Sequence, residues 1–140
     1  MSDIWELAHQ LGAKVVFFKP NEEITKDGMY YRELKTVCLN DNVSTMRQEN
    51  VLLHEIGHSF YGHEHFQCHS KGWSLKQENQ AEEYVIHHRA EQWLAEYDWE
   101  PQSIDYDAFM RYFELDNNLY NSVVKVFNSI LTDHQTCASY

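Results

Sequence analysis

The strongest constraint on this chain is the pentapeptide His54-Glu55-Ile56-Gly57-His58, set between the apolar run Val51-Leu52-Leu53 and Ser59-Phe60. Ahead of it, Thr45-Met46-Arg47-Gln48 has the form of a capping box, with Thr45 as N-cap and Gln48 three residues on. The pattern therefore predicts a buried helix that starts near Thr45 and stops near Gly62. At 3.6 residues per turn, His54 and His58 share one face of that helix, where both imidazoles can reach a single ion. Glu55 lies beside them, placed to hold a water on that ion. In a chain of this composition such a pentapeptide is expected by chance only roughly 0.06 times.

A catalytic zinc takes three protein ligands and keeps a fourth position open for water, so one more ligand is required. The pattern H-E-x-x-H-x-x-G-x-x-H would need glycine at 61 and histidine at 64, whereas this chain has Tyr61, Gly62, His63, Glu64 and His65, out of register by one residue. Glu64 is one candidate, lying among His63, His65 and His69 with no predicted element around it. Glu78 is the stronger one. A second capping box, Ser74-Leu75-Lys76-Gln77, introduces a long helix that runs to about Tyr97 and carries Glu78 in its first turn. Packed antiparallel on the first helix, it can return Glu78 over the two histidines. Glu78, Ala81, Glu82 and Val85 recur on one of its faces, and a carboxylate aimed at a core needs a cation or an imidazole N–H as partner. Glu78 is accordingly read as the third ligand, and Glu82 as the carboxylate that accepts a hydrogen bond from His54 or His58.

The rest of the chain reads as an α+β fold. Residues 4–11 have a helical apolar face with Gly12 as its stop, 15–18 form a strand ending at Lys19-Pro20, and 29–39 hold further extended chain, giving two or three strands of a small sheet. Pro101 breaks the chain before two more helical segments, about 106–115 and 120–131. The 140 residues fit one domain, with 1–100 as a core and 101–140 as its helical extension. Trp5, Trp73, Trp93 and Trp99 are expected to anchor helix packing.

Charge and cysteine usage exclude several classes. With 22 acidic against 11 basic side chains, the net charge of −11 opposes the phosphate neutralisation that nucleic-acid binding requires and the basic clusters that dock on anionic membranes. Three cysteines without a C-x-x-C spacing fit neither a disulfide framework nor a zinc ribbon, and the N-terminal segment has no signal-peptide pattern. The expectation is a cytoplasmic protein with reduced thiols and no membrane span. Eleven acidic residues lie between Leu75 and Asp116 against Lys76, Arg89 and Arg111, a surface that could suit a basic protein partner. His9, His87, His88 and His134 read as solvated surface, and Tyr30, Tyr31, His63 and His65 are all possible donors to an oxyanion.

The order of these features, a helix, the Leu11-Gly12-Ala13-Lys14-Val15-Val16 strand, the Tyr30-Tyr31 strand, the helix bearing Leu52-Leu53-His54-Glu55-Ile56-Gly57-His58 and then Glu78-Asn79-Gln80-Ala81-Glu82-Glu83-Tyr84-Val85, resembles the ImmA/IrrE family of zinc metallopeptidases over residues 4–97. That family's downstream motif has the form E-x-x-A-[ND]-x-[FY]-A, from which this chain departs at Glu82 and Val85. The resemblance implies a zincin-like domain with a small sheet packed on the active-site helix. It also implies a gluxincin-type Zn²⁺ site at His54, His58 and Glu78, with Glu55 as general base. Many members are encoded by phages, prophages and mobile elements and cleave a helix-turn-helix repressor, so the implied activity is that of a zinc endopeptidase acting on a basic repressor. Two other readings remain: a zinc-binding regulator that holds a repressor or transcription factor without cleaving it, which would have no use for Glu55, and a small helical interaction protein in which the pentapeptide is accidental.

Overall fold

In the computed structural model, which describes residues 4–21, 26–31, 33–60, 71–96 and 103–138, the chain opens with helix α1, Ile4–Gln10. Its end shows why Gly12 is there. Gly12 takes a φ of 80°, its N–H donates to His9 O, and Ala13 N–H donates to Ala8 O, the paired hydrogen bonds of a Schellman turn that only a residue free to adopt left-handed φ closes without strain. The turn leads directly into β1, Lys14–Phe18. The remaining strands are β2, Gly28–Tyr31, and β3, Thr36–Asn40, in the order β1-β3-β2, with β1 parallel and β2 antiparallel to the central strand. The extended chain expected over 29–39 supplies two strands, so the sheet has three of the expected two or three, because Lys35 adopts a φ of 47° in the connection and turns the chain back. Val37 and Leu39 of β3 are fully buried and stand opposite Val15 and Phe17 of β1, so the inner face of the sheet is read from alternate residues of its central strand.

Helix α2, Thr45–Phe60, packs against α1, β2 and β3. Its cap is Ser44 rather than Thr45: Ser44 Oγ accepts from Arg47 N–H at 3.1 Å, and the Ser44 carbonyl takes the first intrahelical hydrogen bond from Gln48. Either hydroxyl could serve, and the chain uses the earlier one. That frees Gln48, which is buried and donates through Nε2 to the Asn40 carbonyl at 2.9 Å instead of closing a capping box. Asn40 in turn donates to Lys26 O at 3.1 Å, and Arg47 grips Asp27 Oδ2 with Nε at 2.9 Å and Nη2 at 2.5 Å. These contacts pin the start of α2 to the end of β3.

The chain divides into two compact units, Met1–Ala81 and Glu82–Tyr140. The first holds α1, the sheet, α2 and the first turns of α3. Helix α3 spans Lys71–Glu96 and therefore starts three residues before Ser74, which lies within its first turn and is not its cap. A capping pattern marks a permitted start and is overridden where the residues before it also take helical backbone angles. The second unit is built on aromatic contacts. Trp93 of α3 meets the ring of Phe109 edge-on at 5.7 Å, and Phe109 meets Phe127 at 4.9 Å. Arg89, itself buried, lies 5.0 Å above Phe113. Phe109 belongs to α4, Tyr106–Tyr112, which Asp105 caps through a 2.9 Å hydrogen bond from Ala108 N–H. This helix stops before the expected residue 115 because Glu114 takes a φ of 53° and Leu115 N–H closes back on Met110 O. Phe127 belongs to α5, Tyr120–Ala138, which continues beyond the expected end at 131. The expected helix stop at Gly62, the cluster of Glu64, His63, His65 and His69, and Cys68, Tyr97, Trp99 and Pro101 lie outside the described residues, as do the side chains of Trp73, His134 and Cys137.

Among the described residues the fold is α+β, five helices and a three-stranded sheet, and no helix is long and apolar enough to cross a membrane. Gly28 sets the distance between α2 and β2: a Cβ at that position would run into Val51 Cγ1 and lie 3.1 Å from the Cys38 carbonyl oxygen. Val51 is β-branched and cannot swing aside. Gly28→Ala should therefore lower stability by about 1–3 kcal/mol, read as a lower urea midpoint with an unchanged slope. An unchanged midpoint would mean that α2 is not held against β2 as described.

Candidate metal centre

The helical spacing of α2 puts His54 and His58 one turn apart, and the structure stacks their rings edge to face with centroids 4.8 Å apart. Their Nε2 atoms point at each other across 3.1 Å. Glu78, on the second turn of α3 and within the same compact unit, closes the group: Oε2 lies 2.9 Å from His54 Nε2 and Oε1 lies 3.0 Å from His58 Nε2. His58 is buried, His54 is partly buried, and the Glu78 side chain is 45% exposed, so the open side of the cluster is the carboxylate side.

Without a metal, each Nε2 can carry a proton and donate to its own oxygen of Glu78. With both nitrogens unprotonated, the same three groups can instead offer lone pairs to one shared cation. For ligands at the zinc distances of about 2.0–2.1 Å, the edges of a tetrahedron are about 3.3 Å, close to the 2.9–3.1 Å separations here. One donor atom from each of His54, His58 and Glu78 lies within 4.8 Å of the other two, a group that could hold a metal ion. Two imidazoles and a carboxylate suit zinc among the biological divalent ions.

Electrostatics separates the two carboxylates. Hydrogen bonds from His54 and His58 hold Glu78 far below the usual carboxylate range, so it is present as the anion a metal needs. Glu55 is pushed the other way. Burial raises its carboxyl above the ordinary 4.5, and the imidazoles of His54 and His58 offset only part of that rise. Its Oε2 is buried with no hydrogen-bond partner among the described residues. A buried acceptor left open in this way costs stability unless a ligand or water occupies it.

The sequence-predicted residues fall into three groups. His54, His58 and Glu78 converge, with Glu55 next to them on α2. Glu82 is partly buried one turn beyond Glu78, at the start of the second unit, and Ala81 and Val85 on the same stripe are buried. Outside the centre, His9 is exposed and His87 pairs with Glu91 one turn on, Nδ1 to Oε1 at 2.7 Å. Of the two tyrosines, Tyr30 lines a cavity together with Glu55, whereas Tyr31 is half exposed and donates to Met29 Sδ at 3.9 Å. Sequence reasoning missed the contacts among Asn40, Gln48, Arg47 and Asp27 that fix α2. The Asn40-Asp41-Asn42 turn was the one available cue, since the residues it brings together are otherwise far apart in sequence.

The IrrE N-terminal-like domain family of M78 peptidases matches the chain over residues 8–97. No curated protein matches it. The matched span begins inside α1, covers the sheet and α2, and ends just after α3, so it contains the whole of the His54, His58 and Glu78 cluster. The chain therefore belongs to the ImmA/IrrE family of metallopeptidases, through its IrrE N-terminal-like domain.

Proposed function

We propose that this protein is a zinc-dependent endopeptidase of the gluxincin type, with His54, His58 and Glu78 as metal ligands, Glu55 as general base and Glu82 as a carboxylate that steadies the histidines. The observation that carries this reading is the convergence of two imidazole nitrogens and a carboxylate beside a buried Glu55 oxygen that has no hydrogen-bond partner among the described residues. A zinc ion there would supply a Lewis acid for the scissile carbonyl and lower the pKa of a water toward about 7. Glu55 takes a proton from the attacking water as its oxygen bonds to the carbonyl carbon. It then delivers that proton to the amine nitrogen as the C–N bond breaks, ending in the form in which it began. Its raised affinity for protons suits both halves of that exchange. His54 and His58, carried on consecutive turns of one helix, keep the base at a fixed distance from the reacting carbon.

The proposed substrate is a basic helix-turn-helix repressor in the cytoplasm of a cell that carries a phage or mobile element. The charge of −11 supports this reading, because it favours encounter with a basic protein. Cleavage of the repressor encoded beside this chain should fall about 10²–10⁴-fold in Glu55→Gln, while zinc stoichiometry stays at one. Equal repressor binding by both proteins with no cleavage by either would replace the peptidase with a non-cleaving regulator.

Glu78→Ala should weaken zinc binding by more than about 100-fold, and because the ligands bind metal only when deprotonated, wild-type zinc affinity should fall as the solution is acidified. Zinc affinity unmoved by Glu78→Ala would place the third ligand elsewhere. The metal-free protein offers a separate check on Glu55. Because its folded carboxyl is raised above 4.5, ionising it costs folding free energy that is absent at low pH and complete above the folded value. Metal-free Glu55→Gln should melt above metal-free wild type at about pH 8, and the gap should close as the pH is lowered toward 4.5. A gap that widens in acid would contradict the burial of Glu55.

A further inference from the structure

A cavity of about 130 Å³ opens between the turn after α1, the inner face of the sheet and α2. Its walls follow from the fold. Tyr30 and Val37 are register partners on neighbouring strands and share the inner face, while Leu52, Glu55 and Ile56 lie at i, i+3 and i+4 on one stripe of α2. Leu11 and Ala13 flank Gly12 in the turn and form the third side, and Lys35 stands among the lining residues at the end of the β2–β3 connection. Its backbone is fixed there, since Lys35 O accepts from Lys14 N–H at 2.8 Å.

We propose that this cavity is the specificity pocket for the substrate residue beside the scissile bond, taking an aliphatic side chain of leucine or methionine size and rejecting lysine and arginine. The proposal rests on the peptidase reading of the metal centre. Its first support is adjacency: Glu55, whose Oε2 has no partner among the described residues, is part of the cavity lining, so a side chain seated there lies against the group that handles the water's proton. The second is size. An apolar cavity of about 150 Å³ holds a benzene ring, so 130 Å³ admits a leucine or methionine side chain. The third is charge. Among the described residues lining it, Lys35 and Glu55 are the charged ones, and a substrate ammonium would meet the like charge of Lys35 and, if it paired with Glu55, would occupy the base. A basic protein would thus be cut at an apolar position, its charge serving encounter and its aliphatic side chain serving register.

Two experiments separate the pocket from the peptidase. In the first, zinc-loaded wild type is titrated with N-acetyl-leucine amide and with N-acetyl-lysine amide while the methyl signals of Leu11, Val37, Leu52 and Ile56 are followed by NMR. The leucine amide should give saturable shifts, the lysine amide none. Ala13→Leu, which fills the partly exposed side of the cavity, should abolish the shifts at unchanged zinc stoichiometry. No saturable shift, or equal shifts from both amides, would overturn the pocket. In the second, a peptide mixture is digested and the residues flanking each cut are counted. One flanking position should prefer leucine or methionine over alanine by about tenfold or more, and Lys35→Glu should raise cleavage at lysine and arginine relative to leucine by about tenfold. Lysine and arginine accepted as readily as leucine at both flanking positions would overturn the pocket and leave the peptidase standing. Saturable leucine-amide shifts with no cleavage of any peptide would support the pocket and sink the peptidase.

Discussion

Two imidazole nitrogens 3.1 Å apart, each within 3.0 Å of the same carboxylate, bring three potential metal ligands to one point, and that convergence constrains the structure around it. Much of the first compact unit serves to hold that group in place. The cluster needs α2 at one rotation and one height, because a helix turned by a single residue would carry His54 and His58 off the face that Glu78 approaches. The apolar stripe of Leu52, Leu53 and Ile56, all buried, supplies the rotation, and His58 is buried with it.

The height comes from polar contacts at the start of the helix. Gln48 reaches the Asn40 carbonyl, Asn40 reaches back to Lys26, and Arg47 holds Asp27, so the first turn of α2 is tied to the end of the central strand. Gln48 and Asn40 are both buried, and a buried amide left without a partner costs about 1–3 kcal/mol, which gives the register its specificity. Gly28 completes the frame, since any larger residue would push β2 off Val51. The same frame leaves an opening between α2 and the inner face of the sheet, so the cavity beside Glu55 and the placement of the cluster share one architectural cause.

How far this could be read from the sequence depends on how local each signal is. The α2 helix was legible because its pattern, cap and histidine spacing all lie within sixteen residues. The meeting of Glu78 with the histidines could be anticipated from the burial stripe of α3 and the expense of an uncompensated inward carboxylate. The strand order was not legible: β1 pairs with β3 while β2 intervenes in sequence, and nothing in the strands names their partner. Errors at helix ends have individual reasons. Ser44 and Thr45 are adjacent hydroxyls of nearly equal capping strength, α3 begins before its apparent capping box, and α4 closes on Glu114 in a left-handed conformation that sequence reasoning assigns to glycine. The charged lining of the cavity was hidden for the same reason as the strand order, because Lys35 and Glu55 come together only when the sheet has formed under α2.

The decisive measurement is zinc K-edge X-ray absorption on the protein loaded with one equivalent of zinc. A four-coordinate site of light atoms at about 2.0–2.1 Å, with scattering from two imidazoles and one carboxylate, is the expected result. A sulfur ligand, three imidazoles, or failure to retain one zinc per chain would contradict it.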